Sequence, residues 1–147
     1  MSCESDYGIF NRDNRPEIPL VFVNATSHGF DPYVEVSESS GGSIEFTMEI
    51  PQNSGRSISE IRRVAAGGTA INPGTLNTDG DYIENAIAGS GNQVTFTTTV
   101  AEFREKRPNV AINIPAGGYA EIAFIFEVIL DNGESIISMR SRARVFE

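Results

Sequence analysis

Residues 120–146 read AEIAFIFEVILDNGESIISMRSRARVF, and this stretch decides the fold class. Apolar and polar residues alternate on both sides of Asn132-Gly133, with the period of half-buried β-strands. Asn-Gly is also a strong signal for a two-residue type I′ turn. With that turn, Ile122 faces Ala143 and both apolar sets lie on one side, so the stretch is predicted to be an antiparallel hairpin with one buried face. The other predicted pairs are Phe124 with Ser141, Phe126 with Met139 and Val128 with Ile137.

The opposite face of this hairpin carries charges. Glu121 is predicted to lie across from Arg144, and Glu127 to lie diagonal to Arg140. Opposite charges in such positions stabilise an antiparallel pair by about 0.2–1 kcal/mol each. Arg140, Arg142 and Arg144 share one face, and this arginine stripe is a candidate docking site for an acidic partner or a phosphate. Pairing with the two glutamates explains part of the stripe without any ligand.

The same alternation recurs upstream, and turn residues separate the runs. Residues 57–65 are ambiguous, because their apolar residues are spaced closer to 3.6 than to 2, and we favour a strand with a bulge over a short helix. Residues 100–106 are helix formers that stop before Arg107-Pro108, so they are predicted to form a helical turn linking two sheets. The predicted strands span residues 18–24, 33–37, 43–50, 57–65, 92–100, 119–130 and 135–146.

These elements predict an all-β domain over residues 18–147. About seven short strands separated by turn signals are typical of an antiparallel, immunoglobulin-like β-sandwich, here with one short helical turn. A single up-and-down barrel is the alternative. Residues 1–17 have no sustained period and are predicted to be a flexible tether.

Composition and charge limit the function. The chain has 147 residues, a formal net charge of −9, one Cys and one His. A duplex nucleic-acid binder needs a basic face, so that class is not expected. One Cys and one His cannot build a disulfide framework or a Cys/His zinc site. Ser27 stands directly beside His28 and cannot meet it with the geometry of a catalytic triad, so no enzyme is predicted.

An acidic loop is the best candidate ligand site in the sequence. Asn77, Asp79, Asp81 and Glu84 place oxygen-bearing side chains around a glycine, which suits a hard cation such as Ca²⁺. Their spacing does not match an EF-hand, and a solvated acidic loop is the alternative. Tyr82 lies among these acids, so the same loop is also a candidate glycan site with one ring and several acceptors.

The sequence around Cys3 predicts that the protein is attached to a membrane. It follows the small residue Ser2 and precedes the polar run Glu4-Ser5-Asp6, a pattern typical of a lipoprotein after its signal peptide has been removed. In this interpretation the Cys3 thiol carries a diacylglycerol, and the lipid anchor is the only membrane contact. The alternative is a soluble module with a free thiol.

The carboxy-terminal part carries a set of strand and turn motifs. They are the strand Val94–Val100, the helical stretch 101–103, Ile114-Pro115-Ala116-Gly117-Gly118, the aromatic strand 122–128 and the turn Asp131-Asn132-Gly133-Glu134. This pattern resembles the immunoglobulin-like (fibronectin type III-like) domains of Bacteroidetes-type surface lipoproteins, over roughly residues 90–147.

The resemblance implies a compartment and a class of function. In that family a lipid-bearing Cys opens the mature chain, as Cys3 does here, and holds the protein at the outer membrane, on its periplasmic or surface side. Such domains act as spacers, as adhesion modules or as accessory domains in polysaccharide uptake. We therefore expect a non-catalytic binding, adhesion or spacer module with a protein or glycan partner. A calcium- or glycan-binding accessory module is the alternative.

Overall fold

The computed structural model describes residues 18–27, 31–78 and 81–147. These residues form two β-sheets packed together around an apolar core, together with two short α-helices and two 3₁₀ turns. The predicted β-rich, two-sheet architecture is confirmed. The elements are β1 (Val21–Phe22), β2 (Tyr33–Ser37), a 3₁₀ turn (Glu38–Ser40), β3 (Ser43–Glu49), a 3₁₀ turn (Gln52–Ser54), β4 (Ile58–Gly67), α1 (Thr75–Thr78), β5 (Ile87–Ala88), β6 (Gln93–Thr99), α2 (Val100–Lys106), β7 (Ala120–Leu130), β8 (Ser135–Ile137) and β9 (Ser141–Phe146).

The smaller sheet has the order β1-β3-β6 and is antiparallel throughout. Phe46 lies opposite Phe96 at its centre, and both side chains are buried. Glu45 and Thr47, on the alternate positions of β3, face outward and are exposed or half-buried. Period-2 alternation thus gives this sheet one apolar face and one polar face, as the sequence predicts.

The larger sheet has the order β2-β9-β7-β4-β5, with β8 also paired to β7. Strands β2 and β9 run parallel, from Tyr33 opposite Arg142 to Ser37 opposite Phe146. The predicted all-antiparallel arrangement is therefore wrong for this pair. The chain leaves β2 for the smaller sheet and reaches β9 only after β7, so sequence alternation within β2 carries no information about its direction.

Strand β4 is irregular, which explains its helix-like apolar spacing. Its register against β7 shifts between Ile58 and Glu60, and again between Ile61 and Arg63. A bulge adds one residue to a strand. The buried residues Ile58, Ile61 and Val64 therefore recur at every third position while the backbone stays extended. The predicted bulged strand is confirmed.

The turn between β7 and β8 has three loop residues instead of two. Leu130 N donates to Glu134 O at 2.9 Å, and Gly133 N donates to Leu130 O at 3.0 Å. Gly133 has φ +88°, whereas no described residue other than glycine has a positive φ. A type I′ turn needs positive φ at both central residues, including Asn132. The predicted type I′ turn is therefore wrong, and the loop has the pattern of a type I turn closed by a glycine bulge.

The extra loop residue moves the adjacent pairing by one position. Val128 lies opposite Ile136 instead of Ile137. Ile136 is consequently buried, and Ile137 faces outward with 38% of its surface exposed. A one-residue slip exchanges the two faces of a strand. Strand β8 therefore buries Ile136, whereas the sequence predicts that Ile137 is buried.

The shift extends to Phe126, and the predicted register returns only at Phe124. Phe126 O accepts a hydrogen bond from Ser138 N at 2.9 Å, and its predicted partner Met139 is exposed to solvent. The irregular residues between β8 and β9 absorb the extra position. Ile122 then pairs with Ala143 as predicted.

The core is rich in aromatic rings. The Phe96 ring centroid lies 5.0 Å from that of Phe126 and 5.5 Å from that of Phe124. Helix α2 adds Phe103 from the link between the two sheets, and its centroid lies 5.9 Å from that of Phe124. The predicted helical turn is confirmed at the predicted residues, and Thr99 caps it by accepting from Glu102 N at 3.0 Å.

Strand β7 is buried on both faces over part of its length. Its inner face carries the core phenylalanines, and on the outer face Ile125 packs with Ala65 and Leu76 in a second small cluster. Ile71 packs against the same cluster. The segment that contains α1 therefore covers this part of the larger sheet, which accounts for the nearly continuous apolar run in β7.

Candidate functional site

The predicted acidic loop is engaged in holding the fold together. Asn77 Oδ1 accepts a hydrogen bond from Arg63 Nη1 at 2.9 Å. Asp81 Oδ1 accepts from Val64 N at 2.9 Å and from Ile83 N at 3.2 Å. Val64 lies beyond the part of β4 that pairs with β5, so Asp81 accepts the backbone hydrogen bond that a neighbouring strand would otherwise take.

Two acidic residues of the predicted site remain. Glu84 is exposed, and Asp79 lies outside the described residues. Within residues 18–27, 31–78 and 81–147, no three His, Cys, Asp or Glu side chains group in the manner of a metal site. The Ca²⁺ site thus remains a prediction, with Asn77 and Asp81 already bonded to the protein.

Tyr82 is a core residue. Its side chain is 1% exposed, and its Oη lies 2.7 Å from Thr98 Oγ1. Tyr82 N donates to Val64 O at 2.9 Å, and this bond holds the Tyr82 backbone beside strand β4. Burial raises the pKa of the phenol to about 12. The prediction of Tyr82 as an exposed ring for a sugar is therefore wrong.

The arginine stripe divides into a pair and a single residue. Arg142 Nη1 and Arg144 Nε lie 3.2 Å and 3.1 Å from the same oxygen, Glu121 Oε2. The predicted pairing of Glu121 with Arg144 is confirmed. Arg142 Nη2 also donates to Asp31 O at 3.3 Å, while its buried Nε has no hydrogen-bond partner in the described part of the chain.

Arg140 stands apart from the pair and closes a loop. Its Nε donates to Asp31 Oδ2 at 2.7 Å, and its Nη1 donates to Thr69 O. The predicted diagonal contact between Arg140 and Glu127 is wrong, because the irregular stretch before β9 carries Arg140 away from that position. Arg140 therefore ties the loop after β4 to the loop before β2.

Glu127 has different partners, which come from β4 and β8. Arg62 donates from Nε to Glu127 Oε1 and from Nη2 to Oε2, both at 3.0 Å. Arg63 Nε also donates to Oε1 at 2.8 Å, and Ser135 Oγ donates to Oε2 at 3.0 Å. Only 4% of Glu127 is exposed. The hydrogen bonds from Arg62 and Arg63 lower the pKa of this carboxyl to about 2 against the opposing effect of burial. The buried carboxylate is thus bonded to side chains of both neighbouring strands and stabilises the sheet, while the Arg62 side chain above it is 53% exposed.

An exposed group of rings and charges lies on the outer face of β2, β9 and β7. We call it the aromatic–arginine face, and it consists of Tyr33, Tyr119, Glu121, Arg144 and Phe146. Arg144 Cζ lies 3.7 Å from the Tyr33 ring centroid and 4.8 Å from that of Tyr119. The Tyr119 and Phe146 centroids are 5.3 Å apart. Tyr119 is 39% exposed, and the others are half-buried.

Electrostatics hold Arg144 in place on this face. Partial burial would lower the pKa of its guanidinium, but the hydrogen bond that it donates to Glu121 and the neighbouring tyrosines outweigh that effect and raise the pKa. A guanidinium between two ring faces is a favourable cation–π arrangement. The two rings and Arg144 are thus a preorganised group that stays in position without a ligand.

A polar groove adjoins the aromatic–arginine face. It has a volume of about 470 Å³ and lies between β2, the start of β3 and the segment after β1. Tyr33 and Glu35 belong to its β2 wall, and Asn24, Ser43 and Glu45 line the opposite side. Tyr33 therefore belongs to both the face and the groove.

Sequence reasoning named Arg144 in the candidate docking stripe and paired it with Glu121, but it missed the three aromatic rings of this face. The predicted register pairs Glu121 with Arg144. Two residues farther along each strand, on the same face, this register places Tyr119 opposite Phe146. Tyr33 could not be placed in this way, because its contact with Arg144 depends on the parallel pairing of β2 with β9.

Comparison of the chain with protein-family models, with characterised proteins and with solved structures gives no match. The resemblance to immunoglobulin-like lipoprotein domains therefore remains a prediction. Cys3 and His28 both lie outside the described residues. In the described part of the chain, every helix is too short or too polar to cross a membrane.

Proposed function

We propose that this chain is a non-catalytic binding module of the bacterial cell envelope. A lipid on Cys3 holds it at the outer membrane, and the aromatic–arginine face is its binding surface. The anchor rests on the sequence around Cys3, and the binding surface rests on the exposed rings and charges of the larger sheet.

The positions of the two ends of the molecule are compatible with both parts of this proposal. The described chain enters the fold at Ile18, which shares a surface pocket with Asn132 and Glu134 at the end of β7. Glu121 lies at the start of β7, and Tyr119 directly precedes the strand. Eleven residues of extended strand separate the two ends by roughly 30 Å. A module attached through its amino-terminal segment would therefore present the aromatic–arginine face away from the membrane.

The anchor is tested by mass spectrometry of the protein purified from membranes of the organism that produces it. The proposal requires Cys3 as the amino-terminal residue, with its sulfur in a thioether to diacylglycerol. That bond forms when the sulfur displaces the glycerol phosphate of an anionic phospholipid. A Cys3→Ser variant made in the same cells should lack the lipid mass and leave the membrane fraction. A peptide that retains Ser2 and a free Cys3 thiol contradicts the proposal.

A further inference from the structure

We propose that the aromatic–arginine face and the adjoining polar groove bind a neutral oligosaccharide. This inference rests on the proposed binding function and names its ligand. The argument uses the size of the exposed rings, the balance of charge around them and the lining of the groove.

The size of the ring surface points to a small ligand. A fully exposed aromatic side chain presents about 150–250 Å². Tyr119 is 39% exposed, and Tyr33 and Phe146 are exposed less than that. The three rings together therefore offer less than about 300 Å². A stable protein interface buries about 800 Å² on each partner, so the ring surface suits one or two sugar rings better than a protein.

The charges point to a neutral ligand. Arg142 and Arg144 already donate to the carboxylate of Glu121. Glu35 is exposed and lies opposite Arg144 in the parallel pairing of β2 with β9. Two guanidiniums are thus balanced by two carboxylates, and an anionic ligand would have to displace Glu121 and approach Glu35. Sugar hydroxyls, by contrast, use both donors and acceptors.

The lining of the polar groove also favours a neutral ligand that carries hydroxyl groups. Its wall contains the hydroxyl of Ser43 and the carboxylates of Glu35 and Glu45, whereas the amide of Asn24 is already bonded to the backbone of β3. The hydroxyl can donate to and accept from sugar hydroxyls and the carboxylates can accept from them, while the acidic side chains disfavour anions. A volume of about 470 Å³ lies in the range of small-ligand sites. Tyr33, at the boundary, would contact sugar units on both sides, so the ligand has several units.

The test uses the full chain on an array of immobilised neutral and uronic-acid-containing oligosaccharides, followed by calorimetric titration with a neutral oligosaccharide that binds. Tyr119→Ala should weaken that binding about tenfold or more, and Tyr119→Trp should retain it, because the ring face is kept. Met139→Ala, which removes another exposed apolar side chain that lies outside the aromatic–arginine face, should leave the affinity unchanged. Equal melting temperatures show that the variants are folded.

Three results would overturn the inference: no binding to any neutral oligosaccharide, binding to the acidic ones alone, or an affinity that Tyr119→Ala and Tyr33→Ala leave unchanged. The proposed anchor is judged separately by the lipid on Cys3. A lipidated Cys3 with no sugar binding would reject the oligosaccharide and keep the envelope location, whereas a free Cys3 with sugar binding would reject the location alone.

Discussion

Replacing Glu127 by Gln should destabilise the protein at neutral pH and have almost no effect near pH 2. Gln has the shape of a protonated Glu, so the variant reports what the charge contributes. The two arginines lower the pKa of Glu127 from 4.5 to about 2. At about 1.4 kcal/mol per pKa unit, this corresponds to about 3 kcal/mol of stability when the carboxylate is ionised.

The sign of the pH dependence follows from the lowered pKa. Between pH 4.5 and about 2 the unfolded chain binds a proton that the folded chain excludes. The contribution of Glu127 is therefore fully present above pH 4.5 and is lost as the pH falls, by about 1.4 kcal/mol per pH unit. The difference in unfolding free energy between the two proteins should be constant from pH 6 to 8 and should fall to less than half by pH 3.

Urea unfolding followed by far-ultraviolet circular dichroism measures this difference, since the chain has no Trp. Glu45→Gln is the matched control, because Glu45 is exposed on the smaller sheet and its loss should change stability by less than about 0.5 kcal/mol. A Glu127→Gln protein as stable as the parent at pH 7 would refute the reasoning, as would a difference that stays the same down to pH 3.

Three further substitutions test the packing, each by urea unfolding. Tyr82→Phe should cost about 1 kcal/mol, because it removes the buried hydroxyl contact to Thr98; a neutral effect would contradict that contact. Gly133→Ala should cost about 1–2 kcal/mol, because Gly133 has φ +88°, and an unchanged midpoint would mean that the loop adopts another turn. Phe96→Ala should cost about 3–5 kcal/mol, since this ring of the smaller sheet packs against Phe124 and Phe126 of the larger sheet, and a loss below 1 kcal/mol would place Phe96 outside the core.

Local pattern predicts much of this fold. The alternation of Ile44, Phe46 and Met48 identifies the buried face of β3, and all three are fully buried. The helix formers after Thr99 identify α2 with its correct bounds. These features succeed because each depends on neighbours in sequence, where burial on one face fixes the period.

Features that depend on distant residues escape the pattern. The alternation of apolar and polar residues in β2 reads the same in both directions, so it does not predict that β2 runs parallel to β9. Asn132-Gly133 signals a turn, but the choice between a two-residue and a three-residue loop depends on whether Ile136 or Ile137 fits the core. Local turn chemistry therefore locates the hairpin and leaves its register to packing.

The candidate site shows the same division. Tyr82 stands among acids in the sequence, yet its backbone is bonded to Val64 of β4 and its ring is buried in the core. Tyr33 and Tyr119 are far apart in the chain, and the sheet brings both against Arg144. A candidate surface assembled from distant segments of the chain has no signature in any one of them.

The pairing of β2 with β9 has a consequence for how the chain folds. These strands join nearly opposite ends of the described sequence, and contacts of such long separation form slowly because a large loop must close first. During synthesis β2 has no partner until residues 141–146 have left the ribosome. We expect the β3–β6 and β7–β9 antiparallel pairs to assemble first, and the docking of β2 on β9 to limit the rate at which the domain reaches its native state.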